Sequence, residues 1–165
     1  MKIISRLILS IFITLLSLNS LGAKQINDKV ALNGIKEAKS VFLIDFTNVR
    51  KTAFYLNIIE GTHKGLVDQG VKPKMVLVFI GETVKYLSTK QDEAFEMENE
   101  EHLESIQKSI KRLARLGVRM EVCAVATKVF KVPNETIPKE MDIIADGFIS
   151  LIGWQTQDYK LVPIF

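Results

Sequence analysis

The chain has 165 residues, of which 47% are hydrophobic and 25% charged, and it contains one cysteine. This balance is typical of one globular domain, with or without an additional segment, and it excludes a disordered, collagen-like or low-complexity chain. A single cysteine excludes an intramolecular disulfide framework and a zinc site built on several cysteines. The formal charge of +3 is too small to indicate a nucleic-acid-binding protein.

The first 23 residues have the three-part pattern of a secretory signal peptide. Lys2 and Arg6 give it a basic start, residues 7–18 form an apolar core interrupted only by Ser and Thr, and small residues follow up to Ala23. A transmembrane span needs about 20 apolar residues, so this shorter core predicts cleavage, after Gly22 or Ala23, rather than a lasting anchor. We therefore expect an exported, periplasmic protein that has no stable membrane association once the signal is removed.

The signal also carries much of the net charge. Removal of Lys2 and Arg6 lowers the formal charge from +3 to +1, because residues 1–23 contain no acidic residue. The mature chain then offers no argument from charge for nucleic acid or an anionic membrane as a partner.

The rest of the chain is predicted to be a polar segment at 24–40 followed by one domain at 41–165. The first two predicted strands of this domain are nearly unbroken apolar runs, which favours strands buried on both faces of a parallel sheet. Pro163 indicates that the last strand lies at a sheet edge or near a strand end. The predicted strands are 41–46, 75–80, 118–124, 141–147 and 160–164.

Helices are predicted between the strands, at 50–69, 92–116, 124–131 and 148–158. The longest begins acidic and ends basic, which suits the helix dipole, and it has an apolar stripe at steps of three and four. That stripe consists of Leu103, Ile106, Ile110 and Leu113. The helical spacing in the first helix is formed by Phe54, Ile58, Ile59, Leu66 and Val67. This alternation predicts an α/β fold with a mainly parallel sheet of about five strands and right-handed crossovers.

Candidate functional residues are those that follow the predicted strands, because ligands of open α/β sheets bind at the carboxyl ends of strands. Asp45 and Asn48 follow the first strand, Gly81 follows the second, and Cys123 ends the third. A helix starting directly after Cys123 would bring backbone N–H groups close to the sulfur, and these favour a thiolate or an anionic persulfide. The alternative is a small buried cysteine that only closes the strand.

Other kinds of site have little support in the sequence. His63 and His102 both fall within predicted helices, and we expect packing or solvent-facing roles for them rather than a Cys–His dyad. The acidic residues of 92–104 match no metal-binding loop. The first strand is not followed by a glycine-rich phosphate loop. We therefore expect no metal and no organic cofactor.

Two segments of the chain resemble the DsrE family, in particular its exported single-domain members. The segments are GVRMEVCAVATKVFKV (117–132) and MDIIADGFISLIGWQTQDYKLVPI (141–164). They contain a Gly-Val strand ending in one cysteine before a short helix, then an apolar helix with Gln and a final strand with Tyr. The resemblance covers nearly all of 41–165. It implies a three-layer α/β/α fold, persulfide sulfur bound at Cys123, and a homo-oligomer, since relatives form trimers and hexamers.

We therefore predict an exported DsrE-like sulfur carrier or sulfurtransferase-like protein. Cys123 would take sulfane sulfur from a donor and pass it to an acceptor thiol, in a cleft lined by residues near Asp45, Asn48 and Gly81. One alternative is a ligand-binding or assembly module of the same fold in which Cys123 only packs. Another is a redox sensor in which Cys123 forms a disulfide between two chains.

Overall fold

The computed structural model describes residues 26–164. The predicted signal peptide lies outside the described residues. Residues 26–31 belong to a separate unit and contain no helix or strand, and the elements described below all lie in the domain that starts at Leu32. Within residues 26–164, no helix has the length and apolar character needed to cross a membrane.

The centre of the domain is one parallel sheet with the strand order β4-β3-β2-β1-β5. Within residues 26–164 the strands are β1 (Glu37–Ile44), β2 (Lys72–Phe79), β3 (Arg119–Cys123), β4 (Asp142–Ile144) and β5 (Lys160–Ile164). The predicted α/β fold with a parallel sheet is therefore confirmed. β1 begins earlier than expected, because its polar first residues pair with the start of β2 from Glu37 opposite Lys72 onward. β5 is an edge strand beside β1, so Pro163 lies where the sequence indicated.

The helices of the same range are α1 (Val49–Asp68), α2 (Val84–Leu87), α3 (Glu93–Arg115), α4 (Ala124–Val129) and α5 (Gly147–Thr156). Polar side chains begin three of them: Asn48 accepts from Lys51 N, Asp92 from Ala94 N and Phe95 N, and Asp146 from Phe148 N. Such caps satisfy backbone N–H groups that have no partner inside the helix. Helix α2 is a single turn and was not predicted from the sequence.

Helices α1 and α3 cover one face of the sheet and bury the larger part of the core. The predicted stripe of α3, formed by Leu103, Ile106, Ile110 and Leu113, is buried as expected. It packs on the side chains of alternate strand residues such as Phe42, Leu77 and Met120.

The predicted apolar face of α1 is right for Ile59, which is buried, and wrong for three of its other residues. Phe54, Ile58 and Val67 are about half exposed, at 58%, 47% and 52%, whereas Thr52 and Glu60 are buried. The buried face of this helix is polar in part because it packs on α3, where Arg112 Nε lies 2.7 Å from Glu60 Oε2. The ion pair therefore makes burial of Glu60 tolerable, as buried charges require.

The other face of the sheet is covered by α5, which completes the three layers. Leu151 of α5 packs with Val41, Val76 and Val78 of the strands. The opposite side of α5 carries three large apolar side chains that are about two-thirds exposed: Phe148, Ile149 and Ile152.

Candidate functional site

A pocket of about 270 Å³ lies at the carboxyl ends of the strands and contains Cys123. Asp45 follows β1, Ile80 and Gly81 follow β2, Cys123 ends β3, and Asp146 precedes α5. Apolar side chains of the short α4 segment and of α5 form the rest of the wall: Val125, Ala126, Val129, Phe130 and Phe148. The structure thus brings together three of the four residues expected at this edge of the sheet, namely Asp45, Gly81 and Cys123.

The thiol of Cys123 is 5% exposed and accepts a hydrogen bond. The donor is the backbone N–H of Gly147, with 3.2 Å between Gly147 N and Cys123 Sγ. This donor belongs to the first residue of the ten-residue helix α5 and not to α4, which directly follows Cys123. The reason is the alternation of side chains along β3, which turns Cys123 toward the face that α5 covers.

Gly147 is the residue that lets α5 approach the sulfur so closely. A Cβ atom at this position would lie 2.5 Å from Ile80 Cγ2 and 3.3 Å from Cys123 Cβ. The first distance is shorter than real Cβ contacts, so any larger residue would push α5 or Ile80 away. Glycine at this position therefore lets the helix donate to Cys123 without displacing Ile80.

Another part of the pocket wall is formed by the loops after β1 and β2. Gly81 has a φ of +58°, a conformation that favours glycine, and a Cβ there would lie 2.1 Å from Asp45 Oδ1. Thr83 joins the two loops, since its buried hydroxyl accepts from Phe46 N and lies 3.1 Å from Phe46 O. The position of Asp45 at the pocket is therefore fixed by its neighbours.

The fourth expected residue, Asn48, caps α1 and does not line the pocket. Its Oδ1 accepts from Lys51 N at 2.8 Å as the cap of α1, and it is not among the residues that line the pocket. Asp146, which was not predicted as a site residue, lines the pocket instead and caps α5 by accepting from Phe148 N at 2.8 Å. The signal for it was present, because Asp directly before an apolar helical run is a typical helix cap.

A buried acidic residue connects β3 to α5 next to this pocket. Glu121 is 3% exposed and lies on the same side of β3 as Cys123. Its Oε2 accepts from the hydroxyl of Ser150 and from Trp154 Nε1, the latter at 3.1 Å. Its Oε1 lies 2.6 Å from Arg119 Nε. Glu121 therefore ties two successive turns of α5 to the strand that carries the cysteine.

Arg119 extends this network toward the edge of the sheet. Its Nη2 lies 3.0 Å from Asp142 Oδ2 on β4, and its guanidinium carbon lies 5.9 Å from the ring centre of Trp154. The hydrogen bond to Glu121 and the charges of Glu121 and Asp142 raise the pKa of Arg119, against the opposing effect of its burial. A charged residue within the otherwise apolar stretch 120–124 was the only sequence signal for this network.

Neither histidine lines the pocket of Cys123. His63 is buried on α1, and its Nδ1 is the one buried side-chain nitrogen or oxygen without a hydrogen-bond partner among residues 26–164. His102 Nε2 accepts from Arg50 Nε at 3.3 Å. The described part of the chain contains no group of three His, Cys, Asp or Glu side chains arranged to hold a metal ion.

One family model and several solved structures match this chain. The sequence profile of the DsrE/DsrF-like family matches residues 39–164. No curated protein matches the sequence with significance.

Three solved structures share the fold at low sequence identity. A protein of unknown function from Methanobacterium thermoautotrophicum, MTH1491, is 13% identical with a TM-score of 0.60, over 78% of this chain and 99% of its own. The ychN protein of E. coli is 14% identical with a TM-score of 0.56, over 77% and 99%. The conserved protein BT1422 of unknown function from Bacteroides thetaiotaomicron is 16% identical with a TM-score of 0.53, over 76% and 95%.

Proposed function

Because the chain belongs to the DsrE/DsrF-like family, whose fold is related to sulfur relay, we propose that it is an exported sulfur carrier that holds sulfane sulfur as a persulfide on Cys123. The observation that supports this most directly is the hydrogen bond from Gly147 N to Cys123 Sγ inside a pocket. A backbone N–H at the start of a helix stabilises negative charge on sulfur. The pocket also offers space beside the thiol for an added sulfur atom.

The transfer consists of two balanced displacements. The Cys123 thiolate attacks the outer sulfur of a donor such as thiosulfate, a new S–S bond forms, the donor S–S bond breaks, and sulfite leaves with its electron pair. An acceptor thiolate then attacks the outer sulfur of the Cys123 persulfide, and Cys123 leaves as the thiolate. Neither step needs a metal or an organic cofactor, because sulfur serves as both nucleophile and leaving group.

Two carboxylates in the pocket wall oppose the stabilisation of an anionic sulfur by the N–H of Gly147. Asp45 and Asp146 place negative charge at the pocket that holds the sulfur, and like charges disfavour an anion. The carboxylate of Asp146 is partly neutralised because it accepts from Phe148 N at the start of α5. Asp45 has no such partner within the described residues. Under this proposal the N–H of Gly147 stabilises negative charge on the bound sulfur, and the carboxylate of Asp45 opposes it.

Export and self-association belong to the same proposal. Residues 1–23 serve as the signal peptide, and the mature protein works in the periplasm with donor and acceptor thiols of its own compartment. A homo-oligomer, a trimer or a hexamer, is supported by the exposed apolar side chains of α5, since patches of this kind mark interaction surfaces.

The test is the mass of the mature protein after incubation with thiosulfate or polysulfide. We expect a gain of one sulfur atom that maps to Cys123, is removed by a reductant, and does not occur in Cys123→Ser. The matched control is Cys123→Ser/Ser40→Cys, which moves the single thiol to β1, away from the pocket, and should gain no sulfur. Equal sulfur uptake by the wild type and Cys123→Ser, or none by either, would overturn the proposal.

A second function is favoured by the burial of the thiol. Cys123 is 5% exposed and most of its pocket wall is apolar, which also suits a binding module in which the cysteine only packs. That function predicts a thiol that iodoacetamide does not modify in the folded protein. It also predicts that Cys123→Ala keeps any ligand binding. A covalent dimer on a non-reducing gel would instead support the redox sensor.

A further inference from the structure

A second and larger cavity, of about 420 Å³, lies on the side of the domain where the turn before α3 meets the segment after α4. Its wall contains the side chains of three lysines together with apolar and aromatic ones. The lining residues are Lys85, Ser88, Lys90, Gln91, Asp92, Phe95, Phe130, Lys131, Val132 and Pro133. The volume falls in the range of about 300–1,000 Å³ that small-molecule sites usually have.

The positive charge of this wall is only partly compensated. Lys85 Nζ lies 3.1 Å from Glu82 Oε1, but Lys90 and Lys131 have no ion pair within the described part of the chain. The one carboxylate in the wall, Asp92, already accepts hydrogen bonds from Ala94 N and Phe95 N. The cavity therefore attracts an anion more strongly than a neutral or cationic molecule.

The apolar part of the wall is aromatic and held in place. The ring of Phe95 stacks on the buried ring of Tyr86, with ring centres 6.1 Å apart. Phe130, Val132 and Pro133 form the opposite side. Flat apolar groups pack well against aromatic rings in such sites, so the wall favours an anion with an apolar body over a bare inorganic one.

The polar framework of the cavity is formed before any ligand binds. The hydroxyl of Ser88 bonds with Lys90 O at 2.7 Å and with Thr136 Oγ1 at 2.8 Å, and Gln91 Nε2 donates to Ser88 O at 2.8 Å. The bond to Thr136 joins the turn before α3 to the segment after α4, and the other two hold the turn itself. Lys131 has a φ of +56°, an uncommon backbone conformation for a residue with a side chain. A wall that is already ordered loses little entropy when it binds a ligand.

We propose that this cavity is a binding site for a small organic anion that has a flat apolar body. Lys90 and Lys131 contact the anionic group, and Phe95 and Phe130 contact the apolar body. Phe130 also lines the pocket of Cys123, so the ligand would lie beside the thiol pocket. This inference goes beyond sulfur transfer and does not depend on it, because it concerns binding and not the reactivity of Cys123.

The test uses naphthalene-2-sulfonate as the probe, with naphthalene-2-methanol as the neutral analogue and inorganic sulfate as the bare anion. Calorimetric titration of the full mature chain should give the tightest binding for the sulfonate. The double variant Lys90→Glu/Lys131→Glu should lower its affinity by roughly tenfold, since charge-assisted contacts are lost. The matched control, Lys111→Glu/Lys139→Glu, has the same charge change at exposed positions outside the wall and should bind as the wild type does.

Amide chemical shifts locate the probe. We expect the sulfonate to shift the signals of residues 85–95 and 130–133. The inference is overturned if both double variants bind the sulfonate equally, if the neutral analogue binds as tightly as the sulfonate, or if the shifts fall on α5 instead. A circular dichroism spectrum tests whether each variant is folded. We expect all of them to fold, because the substituted lysines are exposed.

Discussion

Gly147 determines how closely a helix approaches the sulfur of Cys123. Gly147→Ala should lower the free energy of unfolding by about 1–3 kcal/mol, because the added methyl group overlaps Ile80. Urea unfolding measures this change. Gly153→Ala, on the same helix with no atom within 4 Å of the added Cβ, is the control and should stabilise the protein by up to about 1 kcal/mol. Equal effects of the two substitutions would contradict the tight approach at Gly147.

Asp45 sets the charge around the thiol. Asp45→Asn should raise the rate at which Cys123 reacts with the anionic reagent iodoacetate relative to neutral iodoacetamide, because the carboxylate in the pocket wall repels an anion. The measurement is the ratio of the two alkylation rates at one pH, followed by mass spectrometry. Asp68→Asn removes the same charge at the exposed end of α1 and should leave this ratio unchanged. If the two variants give the same ratio, the charge of Asp45 does not act at the pocket.

The residues at the site differ in how far they could be predicted. Asp45, Gly81 and Cys123 were predictable because a single rule, that side chains after parallel strands meet at one edge, applies to each of them. The hydrogen-bond donor to Cys123 was not predictable, because the N–H of Gly147 reaches the sulfur only through the packing of α5 on β3. Which face of a strand a helix covers is a tertiary property.

At the level of elements, β3 and α5 are joined by Glu121. Glu121→Ala should lower the free energy of unfolding by about 1–3 kcal/mol, because two donors of α5 lose their acceptor, whereas Arg119 keeps Asp142 as a partner. Glu121→Gln keeps an acceptor and should cost less. Glu104→Gln is the control, since Glu104 and Lys108 form an exposed ion pair, and should change stability by at most about 1 kcal/mol. Urea unfolding of the four proteins measures the differences.

The pair of α1 and α3 should show a pH-dependent stability. Burial raises the pKa of Glu60, but the hydrogen bonds and charges of Lys64 and Arg112 outweigh burial and hold that pKa below its ordinary value. The contribution of Glu60 is therefore complete above the pKa of the unfolded chain and is lost as pH falls through the lower folded value.

The measurement is the difference in unfolding free energy between the wild type and Glu60→Gln. We expect it to be largest at about pH 7 and to shrink below about pH 4. Glu104→Gln, in an exposed ion pair, again serves as the control. A Glu60 difference that stays constant down to the lowest pH would contradict the assignment.

Helix α1 shows why some elements were harder to predict. The strands are unbroken apolar runs and α3 repeats its apolar residues at helical steps, so both were evident in the sequence. In α1 the apolar residues Phe54 and Ile58 indicated the wrong face. Burial of Glu60 there depends on Arg112, 52 residues further along the chain. No local pattern contains such a partner.

For the molecule as a whole, α5 presents an apolar surface formed by Phe148, Ile149 and Ile152. We expect the double variant Ile149→Glu/Ile152→Glu to convert the expected trimer or hexamer into a monomer, because buried unpaired charges oppose association. Light scattering coupled to size exclusion measures the mass. Phe54→Glu/Ile58→Glu, on the exposed side of α1, is the control. A wild-type protein that is monomeric at high concentration would contradict self-association through α5.

The two edge strands of the sheet, β4 and β5, limit how copies of this chain can associate. β4 offers three residues, and β5 contains Pro163, which has no N–H to donate. Short strands and prolines at sheet edges discourage the addition of a further strand from another molecule. Growth of the sheet into a continuous fibril is therefore disfavoured at both ends, and contacts between copies are left to the helical faces.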